Sequence, residues 1–220
     1  MIKIFLSYFI LFTVSKSTAQ NWIEVPNQIN TDAKFIYTDT VDNLLYMGGL
    51  FGLNGVDTVR GIAKVDINSN ISVLAEGLMN FMGTNTCGVS LTDIVRFQDK
   101  IYVGGSVTDF TVGDSIWTRG IGVWDGTAWD SIHFGLLDNW NETSGITEMT
   151  VIDNDLYVGG PFTKIEPLQL SVNSIAKYDG ITWTNVNNFP KFETSIVKVI
   201  SKFNNEIYVA GVILETYPYD

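Results

Sequence analysis

Four copies of one short phrase constrain this chain more than any other feature. They are Leu45-Tyr46-Met47-Gly48-Gly49, Ile101-Tyr102-Val103-Gly104-Gly105, Leu156-Tyr157-Val158-Gly159-Gly160 and Ile207-Tyr208-Val209-Ala210-Gly211. Their tyrosines stand 56, 55 and 51 residues apart. A near-constant period of this size marks a stacked-repeat architecture, in which each unit buries its apolar face only against its neighbours.

The surroundings of the phrase repeat as well. Five residues before each tyrosine stands an apolar residue, Val41, Phe97, Ile152 or Phe203, followed by a polar pair, Asp42-Asn43, Gln98-Asp99, Asp153-Asn154 or Asn204-Asn205. This pattern predicts a tight hairpin leading into the phrase. A third element comes after a longer gap, as Gly61-Ile62-Ala63-Lys64-Val65-Asp66, Gly120-Ile121-Gly122-Val123-Trp124-Asp125-Gly126 and Ser174-Ile175-Ala176-Lys177-Tyr178-Asp179-Gly180. Asp125-Gly126 and Asp179-Gly180 are read as the two central residues of hairpin turns with positive φ. A fourth strand follows, with Trp129 and Trp183 at matching places and Val73 as their counterpart in the first unit. Each unit is thus four short antiparallel strands, here called a to d. The units span roughly 33–75, 91–132, 147–186 and 197–220, and residues 20–220 carry no helical periodicity.

The predicted fold class is all-β, a β-propeller of four-stranded antiparallel blades with about 3.5 blades present in an incomplete or open ring. A solenoid is the alternative architecture, and a compact four-bladed ring the alternative count. The twin glycines closing strand b fit a blade because glycine accepts positive φ and lets another part of the chain come close. A hydrophobic strand ending in Gly-Gly, an aromatic at Trp124 or Tyr178, and a tryptophan five residues on at Trp129 or Trp183 resemble kelch-like repeats of the galactose-oxidase type. The likeness covers nearly all of residues 21–211; the first unit departs from it, with Val65 and Val73 where the aromatics stand elsewhere. Trp22 in Asn21-Trp22-Ile23-Glu24-Val25 matches Trp129 and Trp183, so residues 21–26 are expected to be a strand d that pairs beside the last blade if the ring closes and lies unpaired at the edge of an open fan if it does not.

Residues 1–19 read as a signal peptide. Lys3 is the basic start, Ile4 to Val14 the apolar run, and Ser17-Thr18-Ala19 the small residues before a cut at Gln20. The run of 11 residues is too short for a membrane span, which needs roughly 20. The expected location is therefore secreted or cell-surface, with no transmembrane span. Loss of Lys3 and Lys16 with the leader would take the formal charge from −11 to −13. Such an acidic chain lacks the basic footprint of a nucleic-acid partner. The single cysteine, Cys87, cannot form an internal disulfide, and its place in Cys87-Gly88-Val89, opposite Ser144-Gly145-Ile146, reads as a small residue in a turn. The style of the repeats, with a leader ending in Ala-Gln, resembles exported proteins of Bacteroidetes-type bacteria.

Catalytic constellations are mostly missing from the sequence. His133 is the one histidine and no serine lies in a Gly-x-Ser-x-Gly elbow, so a Ser-His-Asp triad would hang on that single side chain. The galactose-oxidase likeness implies a scaffold only, because a copper centre of that type takes two histidines. Asp179-Gly180-Ile181-Thr182-Trp183 looks like a sialidase aspartate box that lacks a residue, and the three arginines, Arg60, Arg96 and Arg119, are scattered over strand a and the b–c loops. No calcium-loop spacing occurs. No cofactor or metal is expected. The b–c and d–a connections are long and emerge on one side, which makes that side the expected binding face. Its aromatics are Phe81, Phe110, Trp117, His133, Trp140 and Phe162. Phe162 is read as packing; Trp117 and Trp140, without counterparts in the other units, are the candidate ligand-binding residues for a glycan or protein partner. Three functions stay open: a binding module, the scaffold fragment of a larger enzyme, and a structural repeat of a surface assembly.

Overall fold

The computed structural model describes residues 10–13, 21–24, 32–50, 61–74, 78–80, 91–105, 110–112, 116–118, 120–132, 135–137, 145–186 and 194–214. Among these the chain is all-β, with three four-stranded, two three-stranded and two two-stranded antiparallel sheets. The first sheet joins Asp32–Asp39, Leu44–Leu50, Ile62–Val65 and Ile71–Val73; the second joins Leu91–Phe97, Lys100–Gly105, Ile121–Trp124 and Trp129–Ser131. The third joins Glu148–Ile152, Asp155–Gly159, Ile175–Tyr178 and Trp183–Asn185, and the fourth pairs Thr194–Phe203 with Glu206–Leu214. Each is a simple meander in chain order, the arrangement expected for strands a to d. No helix among the described residues is long and apolar enough to cross a membrane.

The a–b turns follow from their residues. Gln98 and Asp99, Asp153 and Asn154, and Asn204 and Asn205 all have positive φ, between 46° and 67°, which is what a two-residue hairpin twisting with its strands requires. The first sheet differs from expectation. Asp39 pairs with Leu44, so Val41 lies inside a four-residue turn and is exposed rather than ending strand a. The Asp39 carboxylate replaces the turn's geometry by accepting the N–H of Val41 at 3.0 Å and of Asp42 at 3.4 Å.

The c–d turns also depart from the reading as central Asp-Gly pairs. Asp125 N–H donates to Ala128 C=O, and the Asp125 carboxylate accepts the N–H of Thr127 and Ala128. The corner is therefore Gly126-Thr127, one residue later, with positive φ only at Gly126. Asp179 does the same around Gly180-Ile181. In the first sheet Asp66 caps a five-residue version, with Ser69 taking the positive φ. That longer turn sets Ile71, not Val73, opposite Val65. Elsewhere the expected aromatics do pair directly, Trp124 with Trp129 and Tyr178 with Trp183, their rings 5.2 and 5.0 Å apart.

Consecutive sheets pack face to face. Phe97, Tyr102, Ile121 and Val123 of the second share a core with Met149, Leu156, Val158 and Ala176 of the third. Tyr46 and Ile62 of the first meet Ile94, Ile101, Val103 and Trp124 of the second. Ile152, Tyr157 and Ile175 of the third meet Val197 and Ile200 of the fourth. The repeated tyrosine of each of the first three sheets thus faces the following sheet, and burial of such side chains contributes about 1.5–3 kcal/mol apiece. The steric half of the glycine argument holds. A Cβ on Gly104 would meet the Ile146 side chain at 3.0 Å, and one on Gly159 would meet Val197 at 2.6 Å. The first strand of the next sheet crosses at these points. Positive φ plays no part there, since neither glycine pair of the second or third sheet adopts it.

Asn21–Glu24 is a strand and pairs with Ile10–Thr13, Trp22 opposite Phe12, rather than with a strand of the last sheet. Residues 217–220, where a shortened strand c is one of two readings, lie outside the described residues.

Candidate functional site

The long connections are not plain loops. Leu78–Asn80, from the d–a connection after the first sheet, pairs with Phe110–Val112, which pairs with Ile116–Thr118, a hairpin within the second unit's b–c connection. One unit later Gly135–Leu137 pairs with Lys164–Glu166, which pairs with Leu170–Ser171. Two small three-stranded sheets are therefore built the same way, each stitching a d–a connection to the next unit's b–c hairpin. The second is anchored in the core: Leu136, Phe162, Ile165 and Val172 are buried among the side chains between the second and third sheets, with Leu170 packed against them.

This placement distributes the candidate residues. Phe162 is fully buried, as its packing reading requires. Trp117 is the central residue of an edge strand, opposite Thr111. The matching position of the second small sheet, opposite Ile165, is Leu170, so Trp117 has a counterpart that its sequence context hides. Phe110 lies opposite Asn80 and Thr118. Trp140, Phe81, His133, Cys87, Arg60 and Arg119 lie outside the described residues.

Strand a carries a set of polar residues that sequence reasoning missed. A β-bulge falls at the same place in the first, second and fourth sheets, at Lys34, Thr92 and Lys198, and re-aims the side chain that follows. In the second sheet the Thr92 hydroxyl donates to Ile146 C=O, two residues before the third sheet's first strand, and the Asp93 carboxylate accepts the N–H of Met149 on that strand. In the third sheet Thr147 donates to Val197 C=O and Glu148 accepts from the backbone of Ile200, on the fourth sheet's first strand. A Thr-acid dipeptide thus clamps the second sheet to the third and the third to the fourth, the two first strands at each junction running in the same sense. The repeated Thr-Asp and Thr-Glu five residues before Phe97 and Ile152 were the available signal.

Burial raises these carboxyls. Asp93 is pushed up to about 6 despite the hydrogen bonds from Met149 and Ile94. Glu148 is pushed up to about 7 by burial and by the charge of Asp93. Paired raised carboxyls are a recurrent mark of acid-base chemistry. Here each one is committed to a backbone N–H of the neighbouring sheet, which makes it a junction element.

The first and second sheets are joined differently, with Lys34-Phe35 where the others have Thr-acid. Arg96 Nε donates to both Asp39 oxygens at 3.1 Å and Nη2 to Oδ2 at 2.6 Å, while Asp42 accepts from the same Nη2. The Asp39 side chain is 1% exposed. Tyr37 also belongs to the junction, its hydroxyl oxygen accepting the backbone N–H of Arg96 at 3.1 Å. Hydrogen bonding to Asp39 raises the Arg96 guanidinium further. Arg96 is thereby occupied in structure rather than offered to a substrate carboxylate. The turn aspartates are similarly engaged: backbone N–H groups hold Asp125 down to about 2 and lower Asp179, and Asn70 lowers Asp66. Among the described residues no group of three or more His, Cys, Asp or Glu is arranged to hold a metal ion. Comparison with protein-family models and with curated proteins gives no match for this chain.

Proposed function

We propose that this chain forms kelch-like β-propeller blades and serves, after export, as a non-catalytic module that binds a glycan or a protein on its long-connection side. The observation that carries this reading is the pair of similarly built small sheets on that side. They turn connections that could have been loose into a rigid platform, and rigid frames with variable side chains are where recognition residues accumulate. The regular face-to-face packing of successive meanders along their first strands supports the propeller arrangement. The commitment of Arg96, Asp93 and Glu148 to sheet junctions favours binding over catalysis. Export rests on the leader-like residues 1–19, with a mature start at Gln20.

The test is a glycan array together with a titration of any hit, using the purified protein and a Trp117→Ala/Trp140→Ala variant. Binding that falls at least about tenfold in the variant, with thermal unfolding unchanged, is the expected result. Unaltered affinity, or a large loss of stability, would remove those residues from the site.

A further inference from the structure

The four sheets meet at three junctions, and these are closed in two different ways. At the first, Arg96 pairs with the buried Asp39, and the Tyr37 hydroxyl accepts the Arg96 N–H. The two junctions flanking the third sheet rely on single carboxyls instead: Asp93 accepts the Met149 N–H across one, and Glu148 accepts from the backbone of Ile200 across the other. The first sheet has Phe35 at that place, opposite Gly48, as Asp93 is opposite Gly104 and Glu148 opposite Gly159. Only the two later junctions can therefore gain or lose a proton at this position.

Burial works against the ionised form of each carboxyl, and the charge that bears on Glu148 is the like charge of Asp93. On the strands packed around them Asp39 is paired with Arg96, Lys202 with Asp153 and Lys177 with Asp155. Tyr46, Tyr102 and Tyr157 are raised above the ordinary tyrosine value, and Lys34, Lys100 and Lys198 are exposed. The closed carboxyls hold their protons more tightly than carboxyls released to water. Each closed junction is thus favoured at low pH and loses that advantage as pH rises through about 6 at Asp93 and about 7 at Glu148. Because the two groups interact, their protons leave in linked steps.

We propose that the two junctions flanking the third sheet form a proton-operated latch: Asp93 and Glu148 hold them closed when protonated, ionisation of the pair opens them locally, and the first junction, closed by Arg96 and Asp39, does not respond. Opening is local because each carboxyl reaches water once its own junction separates, without unfolding of the sheets on either side. The core between the second and third sheets also holds Leu136, Phe162, Ile165 and Val172 of the second small sheet, so the latch and that sheet share one set of side chains. The inference concerns the junctions themselves and is independent of any ligand on the long-connection side.

Amide hydrogen exchange followed by NMR on the whole chain, corrected for the intrinsic pH dependence of exchange, tests it at three cross-junction amides: Met149, Ile200 and, as the reference, Arg96. From pH 5 to 8 the protection of Met149 is expected to fall about tenfold, that of Ile200 to fall with it, and that of Arg96 to hold. Asp93→Asn combined with Glu148→Gln is expected to make Met149 and Ile200 as insensitive to pH as Arg96. Histidine ordinarily titrates in this range, so the comparison is repeated with His133→Gln, which removes the one histidine. Unchanged protection of Met149 and Ile200 in the wild type overturns the inference, and so does an equal fall at all three amides, which means global unfolding. A fall that persists in the double variant, or that vanishes with His133→Gln, assigns the switch elsewhere and overturns it too. Should the double variant misfold by circular dichroism, the wild-type contrast between Met149 and Arg96 decides alone.

Discussion

Replacing Asp93 by asparagine isolates the electrostatic cost of the clamp between the second and third sheets. The folded chain raises the Asp93 carboxyl from 3.8 to about 6, burial being the largest cause. A raised folded-state value means that the native state holds the proton more tightly than the unfolded chain. The stabilising contribution is then complete below pH 4 and is lost as pH rises through 6. A shift of roughly two units corresponds to about 3 kcal/mol. The substitution has a second, pH-independent effect. Asp93 Oδ1 accepts the Ile94 N–H at 2.8 Å and Oδ2 accepts that of Met149, and an asparagine oxygen can serve only one, so the other N–H loses its partner at a cost of about 1–2 kcal/mol. Asp93→Asn is therefore expected to be less stable than the wild type by about 1–2 kcal/mol at pH 4 and more stable by about 1–2 kcal/mol at pH 7.5, with a crossover between. Urea unfolding followed by tryptophan fluorescence at pH 4, 5, 6 and 7.5 measures the difference directly. Glu148 titrates in the same window, raised partly by Asp93, so its own value should fall in the variant and steepen the trend. If the stability difference between the two proteins stays constant from pH 4 to 7.5, the buried-carboxylate account is wrong.

Removal of Arg96 as Arg96→Met strands the buried Asp39 carboxylate and is expected to cost about 3–5 kcal/mol in denaturant unfolding; Asp39→Asn added to it should recover part of that, and a cost below about 1 kcal/mol would show the pair to be dispensable. Trp129 Nε1 donates to Leu74 C=O at 2.9 Å while Trp183 Nε1 is buried without a partner among the described residues. Trp129→Phe should thus cost about 1 kcal/mol more than Trp183→Phe in thermal unfolding, and equal losses would contradict the assignment. Gly159→Ala puts a Cβ 2.6 Å from Val197 and is expected to destabilise by about 1–3 kcal/mol through overpacking of the junction; a neutral result would mean that the fourth sheet is not seated there.

How much was readable from the residues depended on the range of the interaction. The four-strand repeat, the a–b turns at Gln98-Asp99, Asp153-Asn154 and Asn204-Asn205, the facing Trp124–Trp129 and Tyr178–Trp183 pairs, and the packing role of Phe162 rest on period-2 alternation and turn chemistry, both encoded within a few residues. The c–d corners were misplaced by one residue because an aspartate carboxylate can satisfy a turn's N–H groups, which makes Asp-Gly a cap followed by a corner. The longer turns at Asp42 and Asp66 shifted the first unit for the same local reason. What only the tertiary structure decided was non-local. The small sheets use strands of two or three residues, too short to show periodicity, and exist because connections from successive units arrive side by side. The Thr92-Asp93 and Thr147-Glu148 clamps, the Arg96–Asp39 pair and the room kept by Gly104 and Gly159 all join residues from different units. Residues 21–24 could be recognised as a strand by their own alternation, but a strand's partner is set by which backbone edge lies within hydrogen-bonding reach, and no local pattern carries that information.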